Sequence, residues 1–123
     1  MGSDPKKVNL AGKFHLIEDY WSPKIVGELN GQYVKLAKIQ GEFVWHHHEN
    51  EDELFMVIEG KLTIQLRHRQ ILIEKGEFII IPGGVEHRPV ADEIVHLLLF
   101  ESKTTLNTGN VRDEKTQDEN EWL

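Results

Sequence analysis

Residues 41–60 have the sequence GEFVWHHHENEDELFMVIEG, in which three consecutive histidines precede an acidic turn and a strongly apolar segment. In a β-strand, residues two apart point to the same face and lie about 7 Å apart. His46 and His48 therefore place their imidazoles on one side of the chain, where both can reach one ion at roughly 2.0–2.2 Å. His47 points away. The turn at residues 49–52 separates this segment from a second predicted strand.

Two further side chains are predicted to reach the same ion. Glu53 stands at the start of the strand after the turn, so its carboxylate can return to the histidines from the adjacent strand. His87 follows the rigid Pro-Gly-Gly turn at residues 82–84, which leads into another strand. Imidazole nitrogens and carboxylate oxygens bind divalent metals. These residues predict a divalent metal site made of His46, His48 and Glu53, with His87 as a fourth donor.

The rest of the chain shows the pattern of an all-β protein. From Lys24 onward, short segments rich in Val, Ile, Leu, Phe and Thr alternate with turn sequences that contain Gly, Pro or Asn. Asn30 and Gly31 predict a two-residue hairpin, because both central positions of a type I′ turn need positive φ. Residues 61–67, KLTIQLR, alternate as a half-buried antiparallel strand does. Strands at this spacing predict an all-β sandwich or barrel.

Three predicted strands are apolar on both faces: residues 54–58, 78–81 and 94–100. In a small domain, the second cover could come from another sheet and from a partner subunit, so we expect a homodimer. Phe43 and Trp45 are expected on the exterior, in a subunit interface.

The chain divides into three predicted regions. Residues 1–23 are expected to form an N-terminal arm, with a short strand around residues 8–10. Residues 24–101 form the barrel. Residues 102–123 lose the apolar pattern and become acidic, which predicts a solvated C-terminal tail in which only Trp122 docks.

Composition limits the classes of function. The chain has 123 residues, about one domain, and a formal charge of −7 that opposes binding to nucleic-acid phosphates. The longest apolar run, residues 95–100, is interrupted by His96 and is far shorter than the ~20 residues of a membrane helix, and the N-terminus lacks a signal-peptide pattern. The absence of Cys fits a reducing compartment. We therefore expect no nucleic-acid or membrane partner, and a cytoplasmic location.

The chain resembles the cupin superfamily in two ordered motifs. The first is matched by Gly41, His46, His48, Glu53 and Gly60, and the second by Gly76, Pro82, Gly84 and His87. Fifteen residues separate the two motifs, which is similar to the spacing of compact single-domain cupins. The resemblance covers roughly residues 24–101. An alternative register, His47 with Glu49, loses the paired imidazoles, and Ala91 stands where the family often has Asn.

This resemblance implies a fold and a cofactor. Cupins are double-stranded β-helix (jelly-roll) barrels of antiparallel strands. By resemblance, the interior would hold one divalent transition metal (Mn, Fe, Ni, Cu or Zn) on His46, His48, Glu53 and His87. An octahedral ion would keep two positions open for water, a substrate or dioxygen.

Two classes of function remain open, because fold and ligand set do not name a substrate. The first is a metal-dependent enzyme that acts on a small polar molecule, with isomerase or dioxygenase chemistry, in which His96 moves a proton. No cluster of Lys or Arg is aimed at a phosphate, which disfavours sugar phosphates, and Arg88 is expected in a salt bridge at the rim. The alternative is a non-catalytic small-ligand or metal-binding module.

Overall fold

The computed structural model describes residues 4–123, and residues 1–3 of the predicted arm lie outside the described part of the chain. The described chain contains one short helix and seven strands: α1 (Leu10–His15), β1 (Lys24–Leu29), β2 (Gln32–Glu42), β3 (Glu53–Glu59), β4 (Lys61–Gln65), β5 (Gln70–Glu74), β6 (Phe78–Ile81) and β7 (Arg88–Ser102). All paired strands are antiparallel. The predicted all-β jelly-roll fold is confirmed. Within residues 4–123, no helix is long and apolar enough to cross a membrane.

Strand β7 organises the sheet because it pairs with three other strands. Residues 96–101 of β7 lie between β2 and β3, and residues 88–90 pair with β4. β1 extends the sheet beyond β2, β6 extends it beyond β3, and β5 pairs with β4. The inward-facing side chains of β2, β3 and β7 therefore meet inside one barrel.

The β1–β2 hairpin turns at Asn30 and Gly31, as predicted. Their φ angles are 51° and 78°, the positive values that a type I′ turn requires. The turn sets the register of β2 on β1. Because side chains alternate along a strand, β2 then buries Lys35, Ala37 and Ile39 in the barrel interior.

The sheet buries apolar side chains on both faces. Inside the barrel, Val57, Leu62 and Val95 are completely buried. On the outer face, Phe14 of α1 packs in a second cluster with Leu36. Over this part of the sheet, the second cover is therefore a helix of the same chain.

Residues 8 and 9 form no strand and helix α1 begins at Leu10, so the predicted strand at residues 8–10 is wrong. Leu10, Phe14 and Ile17 recur at helical spacing, and all three pack against the outer face of the sheet. The helix is capped by Asn9, whose side-chain oxygen accepts a hydrogen bond from Gly12 N at 2.9 Å. The cap satisfies one of the backbone N–H groups that have no partner in the first turn of a helix.

Residues 103–123, here called the C-terminal strap, pack on the barrel. Thr108 is completely buried, and residues 121–123 pair with β1 at Ile25 through two backbone hydrogen bonds of 2.7 and 2.9 Å. The expectation of a solvated tail is therefore wrong. Trp122 does dock as predicted, with its ring edge-on to Tyr33 at 5.7 Å between centroids.

Candidate metal centre

His46 and His87 lie opposite each other in a two-residue β-bridge. His46 N donates to His87 O at 3.0 Å, and His87 N donates to His46 O at 2.9 Å. Each ring also places Nδ1 at 2.9 Å from the carbonyl oxygen two residues earlier, Val44 O and Val85 O. Because a carbonyl oxygen only accepts, Nδ1 carries the proton in both rings, and both Nε2 atoms keep a lone pair for a ligand.

Glu53 and His48 complete the cluster. Glu53 Oε1 lies 3.2 Å from His48 Nε2 and 3.7 Å from His87 Nε2. One ligand atom from each of these residues and from His46 lies within 4.8 Å of all the others. With metal–ligand bonds of roughly 2.1 Å, ligand atoms of an octahedral ion lie about 3.0 Å apart in cis and about 4.2 Å apart in trans. The spacing therefore suits one shared ion.

Three of the ligand atoms are buried and face only one another. His48 Nε2, Glu53 Oε1 and His87 Nε2 have no hydrogen bond within the described residues, and all four residues are 4% exposed or less. A buried polar atom that lacks a partner costs about 1–3 kcal/mol. Three such atoms that point to one place are what a divalent ion would satisfy, so the residues fit a metal.

Burial and charge together prepare the cluster for a cation. Burial, reinforced by His87, lowers the pKa of His46 to about 4, so this ring is neutral near pH 7. Burial would raise the pKa of Glu53, but His48 and His87 hold it well below its ordinary value. Burial opposes a charge on His48, yet the neighbouring carboxylate of Glu53 raises the pKa of His48. Glu53 is therefore an anion beside three imidazoles.

A buried ion pair that sequence reasoning missed lies behind Glu53. Lys35 Nζ of β2 lies 3.4 Å from Glu101 Oε1 of β7, and both residues are only 2% exposed. Glu101 is paired in register with Glu53 on β3. Burial and the charge of Glu53 raise the pKa of Glu101 well above its ordinary value. Strand alternation could have revealed the pair. Lys35 lies on the same face of β2 as Ala37, and Glu101 lies on the same face of β7 as Leu99.

A mostly apolar cavity opens beside the cluster. It encloses about 450 Å³ including its open mouth. The apolar wall includes Trp21, Phe43, Leu97 and Leu99, and the Trp21 and Phe43 rings stack with centroids 4.7 Å apart. The polar groups that line it are His46, Glu53, Glu101 and Asn107. The cavity therefore combines an apolar wall with polar groups that include two members of the cluster, His46 and Glu53.

Phe43 belongs to this cavity, so its predicted exterior position is wrong. It is 8% exposed and lies edge-on to His46. Strand β2 ends at Glu42, so the chain between Phe43 and His46 does not alternate and both side chains can face inward. Trp45 is partly exposed, with the Arg67 guanidinium 3.8 Å above its ring.

His96 does not belong to the cluster. On β7, Leu97 and Leu99 face the cavity, whereas His96 faces outward and stacks on Phe14 of α1 with ring centroids 4.4 Å apart. Burial, followed by the charge of Lys38, lowers the pKa of His96. The prediction that His96 moves a proton at the metal is therefore corrected, because strand alternation turns the ring to the opposite face. Arg88 lies at the rim, as predicted, and pairs with Glu42 at 3.1 Å.

The C-terminal strap contacts the histidine segment directly. Asn110 N donates to His47 O at 3.0 Å, and His47 N donates to Asn110 Oδ1 at 2.8 Å. The His47 side chain points away from the cluster and pairs with Glu49 at 2.7 Å. The backbone between His46 and His48 is thus held by the strap.

Comparison with known proteins identifies related sequences and structures. The family model described as "Cupin domain" matches residues 32–101. A crystal structure of a cupin-2 domain-containing protein from Shewanella frigidimarina is 43% identical, with a TM-score of 0.77 over 78% of this chain and 94% of that chain. Among curated proteins, YdbB of Bacillus subtilis is 41% identical over 64 residues, which are 51% of this chain and 57% of YdbB. The acireductone dioxygenase of Phaeosphaeria nodorum is 32% identical over 104 residues, 76% of this chain and 56% of the dioxygenase. The chain thus spans little more than half the length of these two relatives.

Proposed function

The chain belongs to the cupin family, and we propose that it is a metal-dependent dioxygenase whose substrate is a small molecule with two adjacent oxygen donors and an apolar body. One observation carries the proposal: a cluster of three imidazoles and a carboxylate reaches, through His46 and Glu53, the wall of a mostly apolar cavity. The sequence predicts a small polar substrate. The cavity lining favours a molecule that is polar only at the end that faces the cluster.

The four residues of the cluster would hold one divalent transition metal: Mn, Fe, Ni, Cu or Zn. When bound, such an ion supplies Lewis-acid polarisation of substrate oxygens and, if it is redox-active, chemistry with dioxygen. The chain contributes the remaining functions. Trp21 and Phe43 pack against the apolar body of the substrate, and Leu97 and Leu99 keep water from the reacting end.

Two observations favour oxygenase over isomerase chemistry. The relative from Phaeosphaeria nodorum is an acireductone dioxygenase by name. In addition, no Lys or Arg of the described chain lines the cavity, so a sugar phosphate would bury its phosphate without a counter-charge.

The proposal is tested by oxygen consumption. Purified protein is stripped with a chelator, reloaded separately with Fe, Mn, Ni, Cu or Zn, and mixed with catechols, enediols or β-diketones in an oxygen electrode. We expect uptake with at least one redox metal and none with zinc or with Glu53→Gln. Metal-loaded protein that binds these compounds without consuming oxygen would instead support the non-catalytic module.

We further propose that the protein is a cytoplasmic homodimer. Strand β6 is an edge of the sheet, carries no charge, and exposes 59% of Phe78 and 53% of Ile80 next to Leu54 and Met56 of β3. An uncharged apolar edge with free backbone groups suits antiparallel pairing with a second copy. Light scattering after size exclusion should give a dimer that Ile80→Lys converts to a monomer. Leu72→Lys, at an equally exposed position on β5, should remain dimeric.

A further inference from the structure

Glu101 is a buried carboxyl that the metal cluster does not use. It lines the cavity and is 2% exposed. Its Oε2 atom has no hydrogen-bonding partner within the described residues. A carboxyl oxygen that is buried without a partner is costly unless a bound molecule satisfies it. Burial and the neighbouring carboxylate of Glu53 raise the pKa of Glu101, so this carboxyl holds its proton more tightly than usual and can donate as well as accept a hydrogen bond.

Lys35 determines how Glu101 is presented. Lys35 Nζ lies 3.4 Å from Glu101 Oε1, the oxygen that is not orphaned. The two residues come from β2 and β7, neighbouring strands in the middle of the sheet. Lys35 does not itself line the cavity. It therefore holds one carboxyl oxygen and leaves the other for a ligand.

We propose that Glu101, held by Lys35, is a substrate-positioning residue that hydrogen-bonds a hydroxyl of the substrate and selects for neutral catechol- or enediol-like molecules. The inference rests on the proposed function, because it assumes that this substrate reaches the metal. Glu101 and Glu53 are opposite each other on β7 and β3. When one substrate oxygen binds at the cluster, a hydroxyl next to it on the substrate therefore lies beside Glu101.

The charged residues that line the cavity restrict which substituents the substrate body can carry. Besides His46, the titratable residues that line the cavity are Glu53 and Glu101, and no Lys or Arg from residues 4–123 lines it. A carboxylate or phosphate on the substrate body would be buried against apolar side chains without a cationic partner. The cavity therefore selects against substrates with an anionic substituent on the body.

The test measures ligand affinity in zinc-loaded protein, in which no turnover competes. Isothermal titration without oxygen compares catechol, 2-methoxyphenol (one hydroxyl blocked) and 3,4-dihydroxybenzoate (an added carboxylate). The variants are Glu101→Gln and the paired variant Lys35→Met/Glu101→Leu, which removes both charges and so avoids a lone buried charge. Glu59→Gln, at an exposed residue, is the control.

A hydrogen bond to a neutral group contributes about 0.5–1.5 kcal/mol, or roughly 2- to 10-fold in affinity. We expect wild-type protein to prefer catechol to both analogues. In both variants the zinc content should stay at one per chain, while the preference for catechol over 2-methoxyphenol falls at least about threefold. A purely structural role would weaken both ligands equally, and that result overturns the inference. Loss of zinc in the variants, or a preference for 3,4-dihydroxybenzoate, also overturns it. Absence of zinc from wild-type protein would instead overturn the proposed function.

Discussion

The contact between the C-terminal strap and the histidine segment can be tested with one added methyl group. Gly109 has a φ of 57°, and a Cβ built on it would overlap the carbonyl oxygen of His47 and lie 3.0 Å from Cδ2 of His46. Gly31 provides the control, because its φ is 78° and a Cβ there meets nothing within 4 Å. The variants Gly109→Ala and Gly31→Ala therefore share the conformational cost, but only Gly109→Ala introduces a steric clash.

The expected magnitudes follow from these contacts. Placing alanine in the left-handed region costs about 1–2 kcal/mol, which applies to both variants. Displacing the strap at Gly109 also strains the two hydrogen bonds between Asn110 and His47. This strain should lower the free energy of unfolding by a further ~1–3 kcal/mol. The displaced backbone also shifts His46, and disturbing the support of a metal ligand typically lowers affinity by roughly 10- to 100-fold.

The assay has two readouts. Urea unfolding followed by tryptophan fluorescence gives the free energy of unfolding, and competition with a chromophoric chelator gives the zinc affinity. Gly109→Ala should lose more stability than Gly31→Ala and should bind zinc at least tenfold more weakly, whereas Gly31→Ala should bind zinc normally. Equal zinc affinities in the two variants would refute the claim that the strap supports the site.

Three further predictions concern charge and position. Glu101→Leu alone should lower the free energy of unfolding by about 3–5 kcal/mol, because it leaves the buried ammonium of Lys35 unpaired. Lys35→Met/Glu101→Leu should lie within about 1–2 kcal/mol of wild type in urea, because it leaves no buried charge without a partner. His96→Ala should keep the full metal content by mass spectrometry; a loss comparable to that of a ligand variant would return His96 to the site. Protonated His48, whose pKa Glu53 raises above its ordinary value of about 6.5, stabilises the metal-free fold below that value, and this contribution is lost as pH rises through the raised pKa. Because metal binding needs the neutral ring, zinc should raise the Tm more at pH 8 than at pH 5.5, and the reverse order would contradict the cluster.

The four residues of the cluster were predictable from the sequence because strand alternation pairs His46 with His48 and because their spacing matches the two cupin motifs. His46 and His48 are two residues apart, Glu53 follows one short turn, and His87 follows a Pro-Gly-Gly turn. The structure brings all four together at the predicted place. The hairpin at residues 30–31 was also predictable, since one dipeptide determines its backbone angles.

The features that the sequence did not predict depend on contacts between distant segments. Lys35 and Glu101 are 66 positions apart and meet only because β2 and β7 are neighbours in the sheet. Phe43 faces the cavity because β2 ends one residue earlier and alternation stops. The strap has an acidic composition typical of solvated tails, yet Thr108 is completely buried. Hydrogen bonds between Asn110 and His47 join the strap to the barrel, and a pattern of residue types does not reveal them.

The proposed function requires that one metal ion binds to His46, His48, Glu53 and His87. Elemental analysis of protein that has been reloaded with Mn, Fe, Ni, Cu or Zn and then desalted measures this binding. We expect close to one ion per chain in the wild type and in His47→Ala, whose side chain points away from the cluster. Glu53→Gln and His87→Ala should each retain less than about a tenth of that, with unchanged circular dichroism, because removing one ligand leaves an incomplete site. Wild-type protein without metal, or folded variants that hold as much metal as His47→Ala, would contradict the claim.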